Sequence, residues 1–338
     1  MSSEHRTDVA VVGAGPVGLF TIFECGMLDL RCHVIDALDM PGGQCAALYP
    51  EKPIYDIPGY PKIAAQELIS QLDRQAEPFK PVYHFGQRVD SLKAEGGGFT
   101  LVTSLGTRIE AKAVVIAAGV GAFGPNRPPL KGIEEFEGKG VFYLVRRRED
   151  FRGKRVVIAG GGDSAVDWAL SLAELTDRLY VVHRRDKFRA APDSERRLKQ
   201  LAADGRLELV IPYQLAALGG KDGRLSTVVV KTLDGAERVL EADALLAFFG
   251  LAMSLGPIAD WGLALERSHL TVDPATLATS AKGIYAVGDI VAYPGKLKLI
   301  LTGFAEAAAA AHAIQAFIRP DKPLHFEYST TRGVPGVA

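Results

Sequence analysis

Three glycines, Gly13, Gly15 and Gly18, sit at the spacing that brings a backbone up to a pyrophosphate. In such a turn Gly13 permits the sharp bend and Gly15 the close approach. Gly18 lets the following helix pack on the strand, while that helix turns its unpaired N–H groups to anionic oxygen. Pro16 and Val17 complete the turn, and Asp36 lies 18 positions after Gly18, at the end of the next apolar run, where a carboxylate accepts hydrogen bonds from a ribose. The pattern recurs as Gly160, Gly162, Asp163, Ser164 and Ala165, with alanine as the third small residue. Eighteen positions after Ala165 stands not an acid but His183, followed by Arg184 and Arg185. An acid repels a 2′-phosphate, whereas an arginine pair holds one by charge-assisted hydrogen bonds. The first site is therefore expected to take an adenine ribose without a phosphate and the second to take NADP. A solvated charge run is the competing reading of the arginines.

These residues need strands and helices to hold them. Val9 to Val12 and Cys32 to Ile35 read as buried parallel strands around a helix, and Ala113 to Ala118 as a third strand. Met40 to Pro61 is dense in glycine and proline and reads as a long ordered loop, Ala64 to Ala76 as a helix, and Val82 to Glu110 as short strands with a tip at Gly96 to Gly98. After the proline-rich stretch Pro125 to Pro129 the second unit runs from Arg155. It continues through a helix at Ser194 to Ala203, a strand at Leu207 to Ile211, a hairpin from Leu225 to Val239 turned at Asp234-Gly235, and a strand at Ala244 to Phe249. Ile284 to Asp289 is a further strand and Leu299 to Ile318 a long helix; the polar tail from Leu324 reads as a disordered terminus. The fold class is α/β, three-layer, with two Rossmann-like dinucleotide-binding domains. Residues 1–122 and 254–338 form one, and residues 123–253 are inserted into it.

A chain of 338 residues with 48% hydrophobic and 23% charged residues suits a globular protein, and its net charge of -1 gives no bulk attraction to nucleic acid or membrane. The polar N-terminus leaves no room for a signal peptide, and no apolar run reaches the roughly 20 residues that span a bilayer. A cytoplasmic protein is expected. The cysteines, Cys25, Cys32 and Cys45, form neither C-x-x-C nor a metal-ligand spacing. No metal is expected.

Taken together, Gly13 to Gly18, Gly42-Gly43-Gln44, Gly160 to Ala165, His183 to Ala190 and Gly288-Asp289 resemble the flavoprotein reductases with two dinucleotide-binding domains, nearest thioredoxin reductase. The resemblance covers essentially the whole chain. It implies FAD in the first unit and NADPH in the inserted one, with Gly43 in the FAD site, Gln44 at the isoalloxazine, Asp289 at the ribityl chain, and Arg184, Arg185 and Arg189 on the 2′-phosphate. One departure matters. Thioredoxin reductases carry C-x-x-C shortly before the second glycine turn, but Pro125 to Ile158 holds no cysteine, and Cys45 meets Pro50 where glutathione-reductase-like enzymes have a partner thiol. A dithiol relay needs two thiols, so electrons must leave the flavin directly.

The cysteine-free branch that shares Leu48 to Lys52 and the extended tail is the thioredoxin-reductase-like ferredoxin-NADP reductases, and this chain is similar to them throughout. That likeness implies a homodimer with ferredoxin or flavodoxin as partner. It places Tyr49 on one flavin face and Tyr328, beside Ser329 and Thr330, on the other as a gate, with His325 a competing register for the stacking ring. Val89 and Phe123 would line the FAD site. An NADPH diaphorase or oxidase that passes electrons to quinone, free flavin or oxygen is the alternative, and a non-catalytic NADP sensor a more distant one. The run Arg146 to Arg148 with Lys154 and Arg155 is either a dock for an acidic partner or a solvated face, and neither reading is assigned.

Overall fold

The computed structural model describes residues 4–322 and 329–334, and their side chains except at 122–125, 251–253, 329 and 332. The chain divides into two compact units, Met1–Phe123 with Met253–Ala338, and Gly124–Ala252.

The first unit opens with β1 (Glu4–Val12), α1 (Pro16–Met27), β2 (Cys32–Ile35), α2 (Gly43–Ala47), β3 (Pro53–Ile54), β4 (Ile63–Ala64) and α3 (Ala65–Ala76). There follow β5 (Val82–His84), β6 (Val89–Glu95), β7 (Gly98–Thr103) and β8 (Arg108–Ile116). β5, β2, β1 and β8 run parallel in that order, with strand Ile284–Ala286 on the far side of β8. Ala113 to Ile116 are fully buried, as a parallel strand covered on both faces requires. α1, α3 and the long helix Ile300–Ile318 cover one face through Leu19, Ile22, Leu68, Ile69, Ala310 and Ile314.

On the other face the antiparallel meander β6-β7-β8 folds back over the sheet. Ile109 and Ala111 share a core with Val114 and Ile116, and with Ala10, Val12 and Ile35. In a straight strand odd and even residues face opposite ways, so β8 bends near Lys112 and its partner β1 near Asp8. The Asp8 carboxylate pins the bend by accepting from Lys112 Nζ at 2.8 Å and the Arg31 N–H at 3.1 Å. Burial pushes its pKa up, and these bonds bring it below the usual value.

The second unit repeats the plan. Strands Val141–Phe142, Ala244–Ala247, Arg155–Ala159, Arg178–Val182 and Glu208–Val210 are parallel in that order, with helices α4 (Asp163–Leu172) and α5 (Pro192–Ala203). A three-stranded antiparallel sheet, Gln214–Lys221, Arg224–Lys231 and Glu237–Glu241, completes it.

Three expectations change. Met40 to Pro61 is not all loop, because it contains α2 and the small β3-β4 hairpin. The expected hairpin gains a third strand, Gln214–Lys221, whose register shifts at Leu215/Ala217 and Gly219/Gly220 break the alternation that would reveal it. Within the tail, Ser329–Arg332 forms a helical turn. Tyr328 and His325 lie outside the described residues, as do the side chains of Phe123 and Ser329. Among the described residues no helix is long and apolar enough to cross a membrane.

Candidate functional site

The first glycine turn closes the tips of β1 and β2: the Gly13 N–H donates to the Ile35 carbonyl at 2.8 Å. A Cβ on Gly13 would lie 2.4 Å from the Ala117 oxygen and one on Gly18 2.0 Å from the Gly13 oxygen, so any side chain would force the turn apart. A Cβ on Gly15 would meet nothing within 4 Å. Gly15 also caps α1 without a side-chain hydrogen bond, which leaves the helix N-terminus open to an anion.

That opening belongs to a cleft of about 470 Å³, within the usual range for ligand sites. Gly13, Gly15, Pro16, Val17, Asp36, Gly43, Gln44, Tyr49, Val89 and Asp289 all line it. Gly18 does not, because it is spent on helix packing, and Thr330 is exposed and outside the lining.

Asp36 does more than the motif suggests. Its Oδ2 accepts from the Ala14 N–H at 2.6 Å and its Oδ1 from the Leu38 N–H at 2.8 Å, tying the turn to the strand tip. Burial pushes its pKa up, against the pull of those two bonds. α2 is docked on the same turn: the Gly42 N–H donates to Ala14 O at 2.8 Å, and a Cβ on Gly43 would come within 3.1 Å of Gly15 Cα. Gly42 and Gly43 both take positive φ, 120° and 53°, a region glycine enters freely. This docking delivers Gln44, Cys45 and Tyr49 to the cleft. Burial raises the Tyr49 pKa, keeping its phenol protonated.

Asp289 is positioned by a buried network that motif reading missed. Glu306 Oε2 accepts the Gly288 N–H at 2.7 Å, and its Oε1 accepts the Tyr293 hydroxyl at 2.6 Å and pairs with Lys296. The Lys296 and Glu306 side chains are only 6% and 5% exposed. Gln87 and Arg88 also line the cleft unannounced by any motif; their signal was position, just past a strand end at the top of the sheet.

In the second unit Gly162 caps α4, again without a side-chain hydrogen bond. A Cβ on Gly160 would lie 2.7 Å from Phe248 O and 3.0 Å from the Ala165 Cβ, and one on Gly161 2.1 Å from the His183 ring. The Arg189 N–H donates to Gly161 O at 2.6 Å, and Asp163 Oδ1 accepts the Ala191 N–H at 3.1 Å, so the arginine segment is strapped to the glycine turn. His183 stacks on Phe188 with centroids 5.1 Å apart. Burial lowers its pKa, the Lys187 carbonyl opposes this, and Arg184, Arg185 and Arg189 lower it further. Arg184, Arg185, Arg189 and Ser164 are exposed, and no acidic side chain pairs with the three arginines among the described residues. By contrast, the run near Arg147 is largely neutralised: Arg147 pairs with Asp150 at 2.6 Å, Arg148 with Glu149 at 3.8 Å, and Arg155 with Asp243 at 2.7 Å and Glu241 at 2.6 Å.

All three cysteines are free and buried, and of them Cys45 alone lines the cleft. Burial pushes its thiol up to about 11, and it donates to the Tyr49 hydroxyl at 3.7 Å. A protonated, buried thiol is a poor nucleophile. Titration of native protein with DTNB is therefore expected to give the same thiol count before and after NADPH, with three reacting only in denaturant. New thiols released by NADPH would reveal a dithiol relay.

Residues 7–313 match the family model described as pyridine nucleotide-disulphide oxidoreductase. The chain is 63% identical over 340 residues to a protein of Rhodospirillum rubrum named ferredoxin–NADP reductase, with 99% of both chains covered. It is 62% identical to the protein of that name from Paramagnetospirillum magneticum, over 98% of this chain and 99% of the other. Among solved structures it resembles the thioredoxin reductase of T. acidophilum at a TM-score of 0.80 and 25% identity, with 92% of this chain and 98% of that one covered. The thioredoxin reductase of Lactococcus lactis has the same fold, at a TM-score of 0.80 and 24% identity over 93% of this chain and 99% of that one. Two open glycine turns on parallel sheets, one tipped by an acid and one by arginines, agree with these likenesses, and the chain belongs to the pyridine nucleotide-disulphide oxidoreductase family.

Proposed function

We propose that the protein is a ferredoxin–NADP reductase, a cytoplasmic homodimer that exchanges electrons between NADPH and ferredoxin or flavodoxin. The observation that carries this reading is a flavin-type cleft, in a chain with a second dinucleotide turn, whose one lining thiol is buried and protonated. Near-full-length relatives named for this activity support it. The first cleft suits FAD: the uncapped α1 terminus and the bare face of Gly15 fit a pyrophosphate, and Asp36 retains lone pairs for a ribose. Held there, FAD would supply the means to take up hydride from NADPH and to release single electrons.

The chain's own residues then have distinct tasks. Gln44 presents its amide beside Gly119, where a Cβ would lie 3.6 Å from Nε2, and so orients the flavin ring. Tyr49 offers a neutral aromatic face and helps keep water from it. Asp289, held by the Glu306 network, meets the ribityl hydroxyls. Arg184, Arg185 and Arg189 grip the 2′-phosphate, while the α4 terminus receives the pyrophosphate.

The test is NADPH-dependent cytochrome c reduction by the purified holoprotein with and without ferredoxin. A rate that rises severalfold with ferredoxin is expected; equal rates would assign the protein to the diaphorases instead.

A further inference from the structure

We propose that His5, His33 and His84 form a binding site for one transition-metal ion of the zinc class, on the first unit and apart from the FAD cleft. One ligand nitrogen from each ring lies within 4.8 Å of the others. His33 Nδ1 and His84 Nε2 are already 3.0 Å apart, and the His5 ring centroid lies 5.5 Å from that of His33 and 4.8 Å from that of His84. With metal–nitrogen bonds of about 2.0–2.1 Å, ligands of a tetrahedral ion stand about 3.4 Å from one another. The rings need only small rotations to converge on one point.

The backbone builds this convergence. His33 lies on β2 and His84 on the adjoining β5, two positions apart in register, so both point to the same face of the sheet. His5 comes from the far end of β1, and it reaches them because β1 bends near Asp8 and follows β8 into the meander layer. His84 is buried, whereas His5 is partly exposed and leaves a side for a water as fourth ligand.

The chemistry selects the ion. Three imidazoles without a carboxylate suit zinc, copper or nickel and not the hard cations calcium or magnesium. The His33 and His84 rings are disposed to be neutral ligands, since burial lowers the pKa of His33 to about 4 and also lowers that of His84. Arg31, near His33, opposes a cation, but Asp8 holds its guanidinium at 3.4 Å and counters the charge. None of the three histidines lines the cleft.

Equilibrium dialysis of the FAD-loaded protein against Zn²⁺, after removal of adventitious metal by chelator, tests this. One Zn²⁺ per chain is expected, with a raised thermal midpoint. His33→Gln should weaken binding more than about 100-fold, beyond the 10–100-fold loss typical of removing an outer partner. His5→Gln, at a partly exposed position, should abolish the thermal shift while leaving flavin absorbance and NADPH oxidation as in the parent. Failure of the parent to bind Zn²⁺ stoichiometrically overturns the proposal. So does undiminished binding in His5→Gln, which would place the ion on other histidines.

Discussion

Glu306→Ala is expected to lower unfolding free energy by about 3–5 kcal/mol, the loss that follows when one partner of a buried ion pair is removed. Three groups lose their acceptor together: the Lys296 ammonium, the Tyr293 hydroxyl and the Gly288 N–H. The lysine is the worst of these, because an ammonium costs more than a neutral donor to leave unpaired where water scarcely enters. Since Gly288 leads directly into Asp289, flavin retention should weaken along with stability. Glu306→Gln keeps an acceptor but not the charge and should fall between. Exchanging both partners for apolar residues of similar volume, Glu306→Leu with Lys296→Met, should restore much of the loss. Urea titration followed by flavin fluorescence reads these differences. An alanine variant with the parent's midpoint and full flavin content would show that the network is dispensable.

Removal of Arg184 or Arg185 should separate the two nicotinamide cofactors. A hydrogen bond to a charged group is worth about 1.5–3 kcal/mol, so Arg184→Ala and Arg185→Ala should each raise KM for NADPH about tenfold to 150-fold. KM for NADH should hardly move, because NADH lacks the 2′-phosphate, and kcat should change little, since the lost contact is equal in ground and transition states. Both side chains are exposed, so folding is not at stake. An equal rise for both cofactors would mean that the arginines serve the pyrophosphate or the surface instead.

The glycine turns were legible in the sequence because their chemistry is local: a strand, a turn that only small residues permit, and a helix within a short span. The acid at position 36 and the arginines at 184 and 185 were legible through internal repetition, each read against its counterpart. Glu306 was hidden for the opposite reason. It lies in an alanine-rich helix whose apolar pattern announces burial but not what an acid there would bond, and its partners come from a separate loop. The three histidines stand at positions 5, 33 and 84 with no common period, and only strand order and the bend near Asp8 bring them together. α2 was concealed by the glycines and prolines around it, which signal turns more strongly than a single helical turn signals itself.

The discontinuity of the first unit bears on how the chain is made. β8 ends at Ile116, but the strand that flanks it, Ile284–Ala286, leaves the ribosome 168 residues later, and Glu306 later still. At the usual 5–20 residues per second that is a wait of roughly 10–30 s. During it the inserted unit is synthesised whole, while one edge of the earlier sheet stands open beside its buried valines. The nascent first unit must therefore pass through a stage with an uncovered strand edge, the kind of surface that chaperones shield. It can close around its flavin only after the segment from Ile284 to Glu306 has emerged.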